Sequence, residues 1–291
     1  MTTDADDKSD WKVVSQFFIV PLGLVAVLVS VFFGLQVLRT RHPDARSTLE
    51  HLKGPSRFLL PWVGDPKRWQ SGYDLSLAVR AGSGEGGEAL APEMAAAFRE
   101  AGADPKLRRY LALALGRSGE ASAVPALKDG MRDPDGETRL YCAWGLMEIA
   151  DRSSLPELRA AVGDQDEAVR TLAVFALGEL GDHDGAAALR PALQDASMSV
   201  RWNAALSLAR LGDDAGESIL IGVLQGKETA EQEQANASAR LNAIRGLALL
   251  GGPAARAALQ QAAETGASDV IRATARLGLK TIAAKTPRPL P

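Results

Sequence analysis

The chain has 291 residues, of which 46% are hydrophobic and only 5% aromatic, and its formal net charge is −3. This apolar fraction is enough for a folded core, and the prevalence of Ala, Leu and Gly over aromatic residues favours packed helices over a β-sandwich. The mildly acidic balance disfavours nucleic acid as a partner, and the single cysteine, Cys142, excludes an internal disulfide and a cysteine-based metal motif.

The first predicted element in chain order is a membrane-spanning helix at residues 13–38, after an acidic tail at residues 1–12. The 26 residues between Lys12 and Arg39 carry no formal charge, and a helix of that length exceeds a hydrocarbon core roughly 30 Å thick. A cleaved signal peptide and a buried core helix are the alternatives, but the acidic start and the long apolar stretch favour a transmembrane anchor. Pro21 is expected near its first turns or at a kink.

The basic residues beside this segment predict its orientation. Two precede it and five follow it between Arg39 and Arg57, which favours a cytoplasmic location for the rest of the chain. The sequence therefore predicts a single-pass membrane protein that contacts the lipid bilayer through residues 13–38. The basic stretch either attracts anionic headgroups as well or serves only as the flank that sets the topology.

Residues 39–64 are predicted to form a basic juxtamembrane linker and cap. The segment GPSRFLLPWVGD, at residues 54–65, holds an apolar cluster between prolines. Such a cluster can cover the open end of a repeat array, because the first unit has no neighbour on one side. The alternative is that the cluster lies at the membrane interface.

Residues 65–284 are predicted to form an all-α domain built from internal repeats. Arginines recur at intervals of 31 residues and then after 39 and 32 residues, each with a leucine seven positions later and a residue of small or flexible type, Gly or Ala, eleven positions later. The arginines are Arg108, Arg139, Arg170, Arg201, Arg240 and Arg272, and the leucines are Leu115, Leu146, Leu177, Leu208, Leu247 and Leu279. The pattern predicts a first helix that begins near the arginine, buries the leucine and ends at the Gly or Ala.

A second helix is predicted in each unit after the first helix ends. The clearest second helices are expected at residues 121–131, 152–162 and 185–195. Pro125 and Pro156 fit the first turn of such a helix. An earlier, degenerate unit begins at Arg68, and we expect six helix pairs and a final single helix ending near Ala284, followed by a flexible tail at residues 285–291. Polar insertions lengthen two units, at residues 82–88 and 226–237.

The 31-residue period, with aspartate and arginine near the start of the first helix and Leu-Gly near its end, resembles the PBS-lyase-type HEAT repeat family. The resemblance covers about residues 65–284 and is clearest over residues 104–225. It implies an α-solenoid, a right-handed superhelix of HEAT-like helix pairs. Solenoids with these repeats serve as scaffolds, regulatory subunits and, in one branch, bilin attachment proteins, so the resemblance is specific for the fold and weak for the function.

The repeated arginines predict one of two structures. Aspartates four residues earlier, Asp104, Asp135 and Asp166, could pair with arginines of the same or the adjacent unit and form a ladder between repeats. The alternative is an anion-binding stripe, and we favour the ladder. Trp144 and Trp202 are either packing residues or exposed anchors.

The sequence contains no recognisable catalytic motif. Glycine loops of the Walker or dinucleotide type, His-Glu-x-x-His and Gly-x-Ser-x-Gly are all missing. His42 and His51 stand nine residues apart, a spacing unsuited to a helical metal pair, and a solvated turn explains His183 better than a cation site does. Cys142 falls at a core position and is expected to be an inert thiol. We therefore predict no catalytic residue, no cofactor, no metal and no enzyme activity.

These expectations combine into a membrane-anchored scaffold or regulatory subunit that binds a protein partner at or in the membrane. The resemblance implies that the second helices line the concave side, so the predicted contact residues are polar side chains there: Lys128, Arg159, Gln194 and Gln260. One alternative is a bilin lyase-like or cofactor-attachment factor. Another is an accessory subunit of a membrane complex that packs through its transmembrane helix.

Overall fold

The computed structural model describes residues 44–53, 66–81, 87–102, 104–226 and 233–285, and within these ranges every regular element is a helix. The α-helices are α1 (Ala45–Lys53), α2 (Pro66–Ala81), α3 (Gly87–Glu100), α4 (Pro105–Ser118), α5 (Val124–Gly130), α6 (Gly136–Ile149), α7 (Leu155–Ala161), α8 (Glu167–Glu179), α9 (Ala186–Ala192), α10 (Met198–Arg210), α11 (Glu217–Gln225), α12 (Glu233–Leu250), α13 (Pro253–Thr265) and α14 (Asp269–Lys285). The even-numbered helices from α2 to α14 are the first helices of the repeats, and the odd-numbered helices from α3 to α13 are the second helices. This order confirms the predicted helix pairs and the final single helix.

The first helices from α4 to α10 begin and end where the repeat pattern predicts, whereas α12 begins at Glu233, inside the predicted insertion at residues 226–237. Asp135 is the N-cap of α6, and its side chain accepts a hydrogen bond of 2.8 Å from the amide of Thr138. Helix α4 ends at Gly119, which has a left-handed φ of 70°. The equivalent residue after α6 is Ala150, with a φ of 57°. An alanine in that conformation is about 1 kcal/mol less favourable than a glycine, so the backbone of this turn is strained.

The aligned leucines form the core of the repeats. Five of them are fully buried, and the last, Leu279, is partly buried against the same core. The fully buried leucines are Leu115, Leu146, Leu177, Leu208 and Leu247. Pro125 and Pro156 occupy the first turns of α5 and α7, as predicted. The predicted register of the first helices is therefore confirmed.

The first helices are packed more closely than the second helices. Successive first helices lie directly against one another along their length, whereas successive second helices meet at only a few residues. Small residues permit this approach, since a Cβ atom built on Gly116 of α4 would lie 2.5 Å from the Cα atom of Gly145 in α6. Gly178 of α8 stands equally close to Ser207 of α10. We call the closely packed set of first helices the first-helix row.

No helix in the described ranges is long and apolar enough to cross a membrane. Even α12, with 18 residues, contains Arg240 and Arg245, and a charged side chain is costly in a hydrocarbon core. This finding contradicts the predicted localisation as a single-pass membrane protein, and we correct that prediction. The predicted lipid contact loses its support as well. The segment on which both rested, residues 13–38, lies outside the described residues.

Several other sequence predictions also concern residues outside the described ranges. These are the acidic tail at 1–12, the whole apolar segment of the cap at 54–65, the end of the chain at 286–291 and His42. Within the predicted linker, however, α1 is a helix whose Leu49 and Leu52 are buried against the repeats. The predicted domain limits and the right-handed sense of the superhelix stay predictions.

Candidate functional site

Rows of ion pairs connect neighbouring repeats, and they follow the 31-residue period. Arg139 of α6 donates two hydrogen bonds to Asp164 of the next unit, from Nε to Oδ2 and from Nη2 to Oδ1, each 2.8 Å long. The equivalent pairs are Arg108 with Asp133 and Arg170 with Asp195. We call these three pairs the arginine ladder. A ladder between repeats was predicted, and the structure contains one.

The aspartates of the ladder are not the ones that the sequence suggested. The aspartates predicted to be the partners are the N-caps of first helices. A side chain at that position turns toward the free amides of its own helix and away from the ladder arginine. These N-caps are Asp104, Asp135 and Asp166. Asp135 has a second role, since it also accepts hydrogen bonds of 2.8 and 2.6 Å from Arg109. The bond from Arg109 is the main reason that the pKa of Asp135 is lowered well below its ordinary value.

The pair formed by Arg139 and Asp164 also binds the loops on either side of it. Nη1 of Arg139 donates to the carbonyl oxygen of Asp133 at 2.7 Å, and Oδ1 of Asp164 accepts from the amide of Asp166 at 2.8 Å. The Arg139 and Asp164 side chains are only 6% and 12% exposed. Burial acts to raise the pKa of Asp164, but the hydrogen bonds from Arg139 and Asp166 outweigh it, so the pKa is lowered. The pair is therefore ionised and joins adjacent repeats.

A second row of contacts connects the second helices. Nε of Arg159 donates to Oδ2 of Asp182 at 2.6 Å, and Nη2 of Arg190 donates to Oδ2 of Asp213 at 2.8 Å. The hydrogen bond from Arg159 lowers the pKa of Asp182. Arg159 was predicted to contact a partner protein, and the structure places its guanidinium against the next repeat of its own chain.

The other three predicted contact residues lie in different surroundings. Nζ of Lys128 donates to the carbonyl oxygen of Ser153 at 2.9 Å and lies 3.2 Å from Glu157. Gln194, just after α9, and Gln260, on α13, are exposed. A role of these residues in partner binding stays a prediction.

The opposite face of the repeats carries an apolar groove, which the sequence did not reveal. It lies between α10, α12 and α14, has a volume of about 530 Å³, and is defined by the residues Leu206, Arg210, Asn242, Ile244, Arg245, Ala248, Leu249, Thr274, Leu277, Gly278 and Thr281. Leu249 and Leu277 are 45% and 63% exposed. The sequence did contain a signal for this groove. Leu249 and Leu277 are large apolar residues that do not fall on the aligned, buried leucine positions of their repeats.

Aromatic side chains cover the first-helix row near the amino-terminal end. The ring of Tyr110 stacks on Trp69 with 6.1 Å between ring centroids. The ring of Tyr73 packs edge-on against Tyr110, with 5.5 Å between centroids. Trp144 packs over Gly116, and Trp202 is partly buried against the core. Both tryptophans left open by the sequence are therefore packing residues.

Comparison with known proteins identifies the family of these repeats. A family model described as HEAT repeats matches residues 92–174 and 155–239, which together span just over half of the chain. The chain belongs to the HEAT repeat family. No curated protein matches the HEAT repeat chain in sequence.

Solved structures resemble the HEAT repeat chain in fold. The complex of CpcE and CpcF of phycocyanin lyase from Nostoc sp. PCC7120 is 23% identical with a TM-score of 0.51, over 81% of this chain and 86% of that chain. The YibA protein of Escherichia coli is 15% identical with a TM-score of 0.58, over 84% and 83% of the two chains. An engineered protein is 16% identical with a TM-score of 0.55, over 82% and 68%. At these identities the likeness concerns the fold alone.

The HEAT repeats offer little further chemistry in the described ranges. No group of three or more His, Cys, Asp or Glu side chains there is arranged to hold a metal ion. His183 is exposed at the start of a short 3-10 turn. Cys142 is buried, and burial strongly raises the pKa of its thiol. A thiol kept protonated and away from solvent is a poor nucleophile.

Proposed function

We propose that this HEAT repeat scaffold binds a partner protein through the apolar groove, and that the bound segment of the partner combines apolar with acidic residues. The observation that carries the proposal is the exposure of Leu249 and Leu277 at one groove. Large apolar side chains left in water beside one another are typical of an interaction site. In this proposal the chain acts by binding, not by catalysis.

The charges around the groove select its occupant. Arg210 and Arg245 line it, and its described lining residues include no Asp or Glu. Arg245 is exposed and donates a hydrogen bond of 3.0 Å to the neutral side chain of Asn242, while Arg210 pairs with Glu179 at 2.6 Å. Carboxylates of a partner would complement Arg245, whereas a basic segment would be repelled.

The packing of the helices favours the same face. Successive first helices contact one another along their length, and the apolar groove spans three of them, so a bound segment meets several repeats at once. The second helices, with Lys128, Arg159, Gln194 and Gln260, are the competing contact surface, and an experiment can separate the two.

Site-specific photocrosslinking distinguishes the two surfaces. A photoreactive amino acid replaces Leu277 in one variant of the full chain and Gln194 in another, and crosslinked peptides are identified by mass spectrometry. We expect Leu277 to crosslink to one protein, through a peptide that contains both apolar and acidic residues. The yield should fall at least about tenfold in Leu249→Glu and in Arg245→Glu, and should stay unchanged in the matched surface variant Gln260→Glu.

Two outcomes would overturn this proposal. Crosslinks from Gln194 with none from Leu277 would place the interface on the second helices. Crosslinks from Leu277 to a second copy of this chain, or to its own residues 13–38, would mean that the chain itself fills the apolar groove.

A cofactor-attachment role is the second candidate function. It is supported only by the fold-level likeness to the CpcE and CpcF complex of phycocyanin lyase. Visible absorption that copurifies with the chain, or covalent attachment of a bilin to a protein in its presence, would favour this candidate over a binding scaffold.

A further inference from the structure

Arg240 of α12 stands at the repeat position of the ladder arginines but has no ladder partner. Its Nε atom is buried and has no hydrogen-bond partner. Among the described residues, no carboxylate pairs with its guanidinium. In the arginine ladder the same atom of Arg139 or Arg170 donates to an aspartate of the next repeat at 2.8 Å. A buried donor without an acceptor is unfavourable, so this position differs from the other rungs in a way that a ligand can correct.

The residue that should supply the missing carboxylate is Gly266. In the ladder, each aspartate lies six residues before the next repeat arginine. Its backbone carbonyl oxygen accepts a hydrogen bond from Nη1 of that arginine, as that of Asp164 does from Arg170 at 2.9 Å. Gly266 lies six residues before Arg272, and its carbonyl oxygen accepts from Nη1 of Arg272 at 2.6 Å. The backbone hydrogen bond of a ladder rung is therefore present at Gly266, and only the carboxylate side chain is missing.

Local packing keeps the side chain out. A Cβ atom built on Gly266 would lie 2.5 Å from the carbonyl oxygen of Ala262 and 2.9 Å from Cγ2 of Ile271. Beside this glycine, a cavity of about 250 Å³ opens at Arg240. The polar side chains that line it are Gln225, Gln261 and Thr265, together with Arg240, and its described lining includes no Asp or Glu.

We infer that Arg240 and this cavity form a binding site for a carboxylate, supplied by an acidic side chain or by the free carboxyl terminus of a protein ligand. A guanidinium binds a carboxylate through two parallel hydrogen bonds, and that geometry is the one that the ladder aspartates use in this chain. The side-chain amides of Gln225 and Gln261 can donate further hydrogen bonds to the anion, whereas the hydroxyl of Thr265 already donates to the carbonyl oxygen of Gln261 at 2.9 Å. The cavity shares no lining residue with the apolar groove, so the inference does not depend on the proposed function.

Nuclear magnetic resonance of the arginine Nε–Hε groups tests this inference on the 15N-labelled full chain. The signal of Arg240 is assigned by its loss in Arg240→Lys, and acetate is titrated into the wild type. We expect a saturable shift of this signal with a dissociation constant on the order of millimolar, as befits a single ion pair. N-acetylaspartic acid amide and N-acetylalanine then distinguish a side-chain carboxylate from a chain terminus as the source.

Two arginines of the same chain serve as internal controls. Arg170 is already paired with Asp195, so its signal should not move, and Arg245 is an exposed arginine on the same helix as Arg240. Equal or non-saturable shifts of Arg240 and Arg245 would mean that there is no built site, and tighter binding of inorganic phosphate than of acetate would overturn the assignment to a carboxylate. Leu249→Glu should leave the Arg240 titration unchanged even if it abolishes partner binding.

Discussion

Replacing Asp164 by Asn measures what a shielded rung of the arginine ladder contributes to stability. Asn keeps an oxygen that can accept the 2.8 Å hydrogen bond from the amide of Asp166, but it puts an NH2 group where Oδ2 accepts from Nε of Arg139 at 2.8 Å. Two donors then face each other, and a guanidinium whose side chain is only 6% exposed loses its counter-charge. Breaking a buried pair in this way costs roughly 3–5 kcal/mol, so for this slightly exposed pair we expect a loss of about 3 kcal/mol.

Asp213→Asn is the matched control for this change. Asp213 also accepts a hydrogen bond from a backbone amide, that of Ala215 at 2.9 Å, and Asn retains this contact too. Its partner Arg190, however, is 62% exposed, and such pairs contribute roughly 0–1 kcal/mol. Urea denaturation followed by circular dichroism gives the free energy of unfolding of both variants. Equal losses in the two variants would refute the reasoning that shielding from water sets the strength of an ion pair between repeats.

Three further substitutions and one labelling experiment test other parts of the structure. Leu177→Ala removes a fully buried side chain from the middle of the array and should lower the free energy of unfolding in urea by about 2–5 kcal/mol; a near-neutral result would contradict the repeat register. Ala150→Gly replaces the left-handed alanine, with its φ of 57°, and should raise the same free energy by about 1 kcal/mol; a decrease would argue against strain at this turn. The hydrogen bond from Arg170 lowers the pKa of Asp195, so the stability that it contributes is fully present above the ordinary aspartate pKa of 3.8 and is lost as the pH falls through the lowered value. Urea midpoints measured from about pH 7 to about pH 3 should therefore fall less steeply in Asp195→Asn than in the wild type, and parallel curves would count against this contribution. The buried Cys142 thiol should react with a thiol-specific dye only after urea unfolds the chain, and rapid labelling in buffer would show that it is accessible.

Much of the fold could be predicted because its determinants are local in sequence. An N-cap such as Asp135, a buried leucine such as Leu146 and a left-handed residue such as Ala150 all lie in or directly beside one helix of 14 residues, and the same pattern recurs along the chain. Six repetitions of one pattern make such local signals reliable. The helix pairs, the limits of the first helices from α4 to α10 and the buried leucines therefore agree with the structure.

The partners between repeats could not be predicted in the same way. Asp133 and Asp135 stand two residues apart, and aspartates at both positions recur in the next unit as Asp164 and Asp166, so the spacing alone cannot say which one meets the arginine. Only the offset between stacked units decides that the partner lies 25 residues after the arginine. Arg240 was indistinguishable from the other arginines for the same reason, because its missing partner depends on the backbone around Gly266.

The membrane and contact predictions depended on other kinds of signal. The prediction for residues 13–38 rested on their length, their lack of charge and the charges on either side, and no helix in the described ranges is long and apolar enough to cross a membrane. The second helices were chosen as the contact surface from the family resemblance. The charges of Lys128 and Arg159 turned out to be engaged within the chain, a distinction that composition and spacing do not contain.

The constant separation within the arginine ladder restricts how the length of the repeats that carry it can change during evolution. Deleting residues 134–164 would join Asp133 directly to Gln165, so Arg108 would keep its aspartate and Arg170 would find the carbonyl oxygen of Asp133 where it now finds that of Asp164. A deletion one residue shorter or longer would put the following helix out of register with every rung behind it. Rearrangements that add or remove whole periods of 31 residues preserve the rungs of the arginine ladder, and the units of other length, such as the one from Arg201 to Arg240, lie outside the ladder.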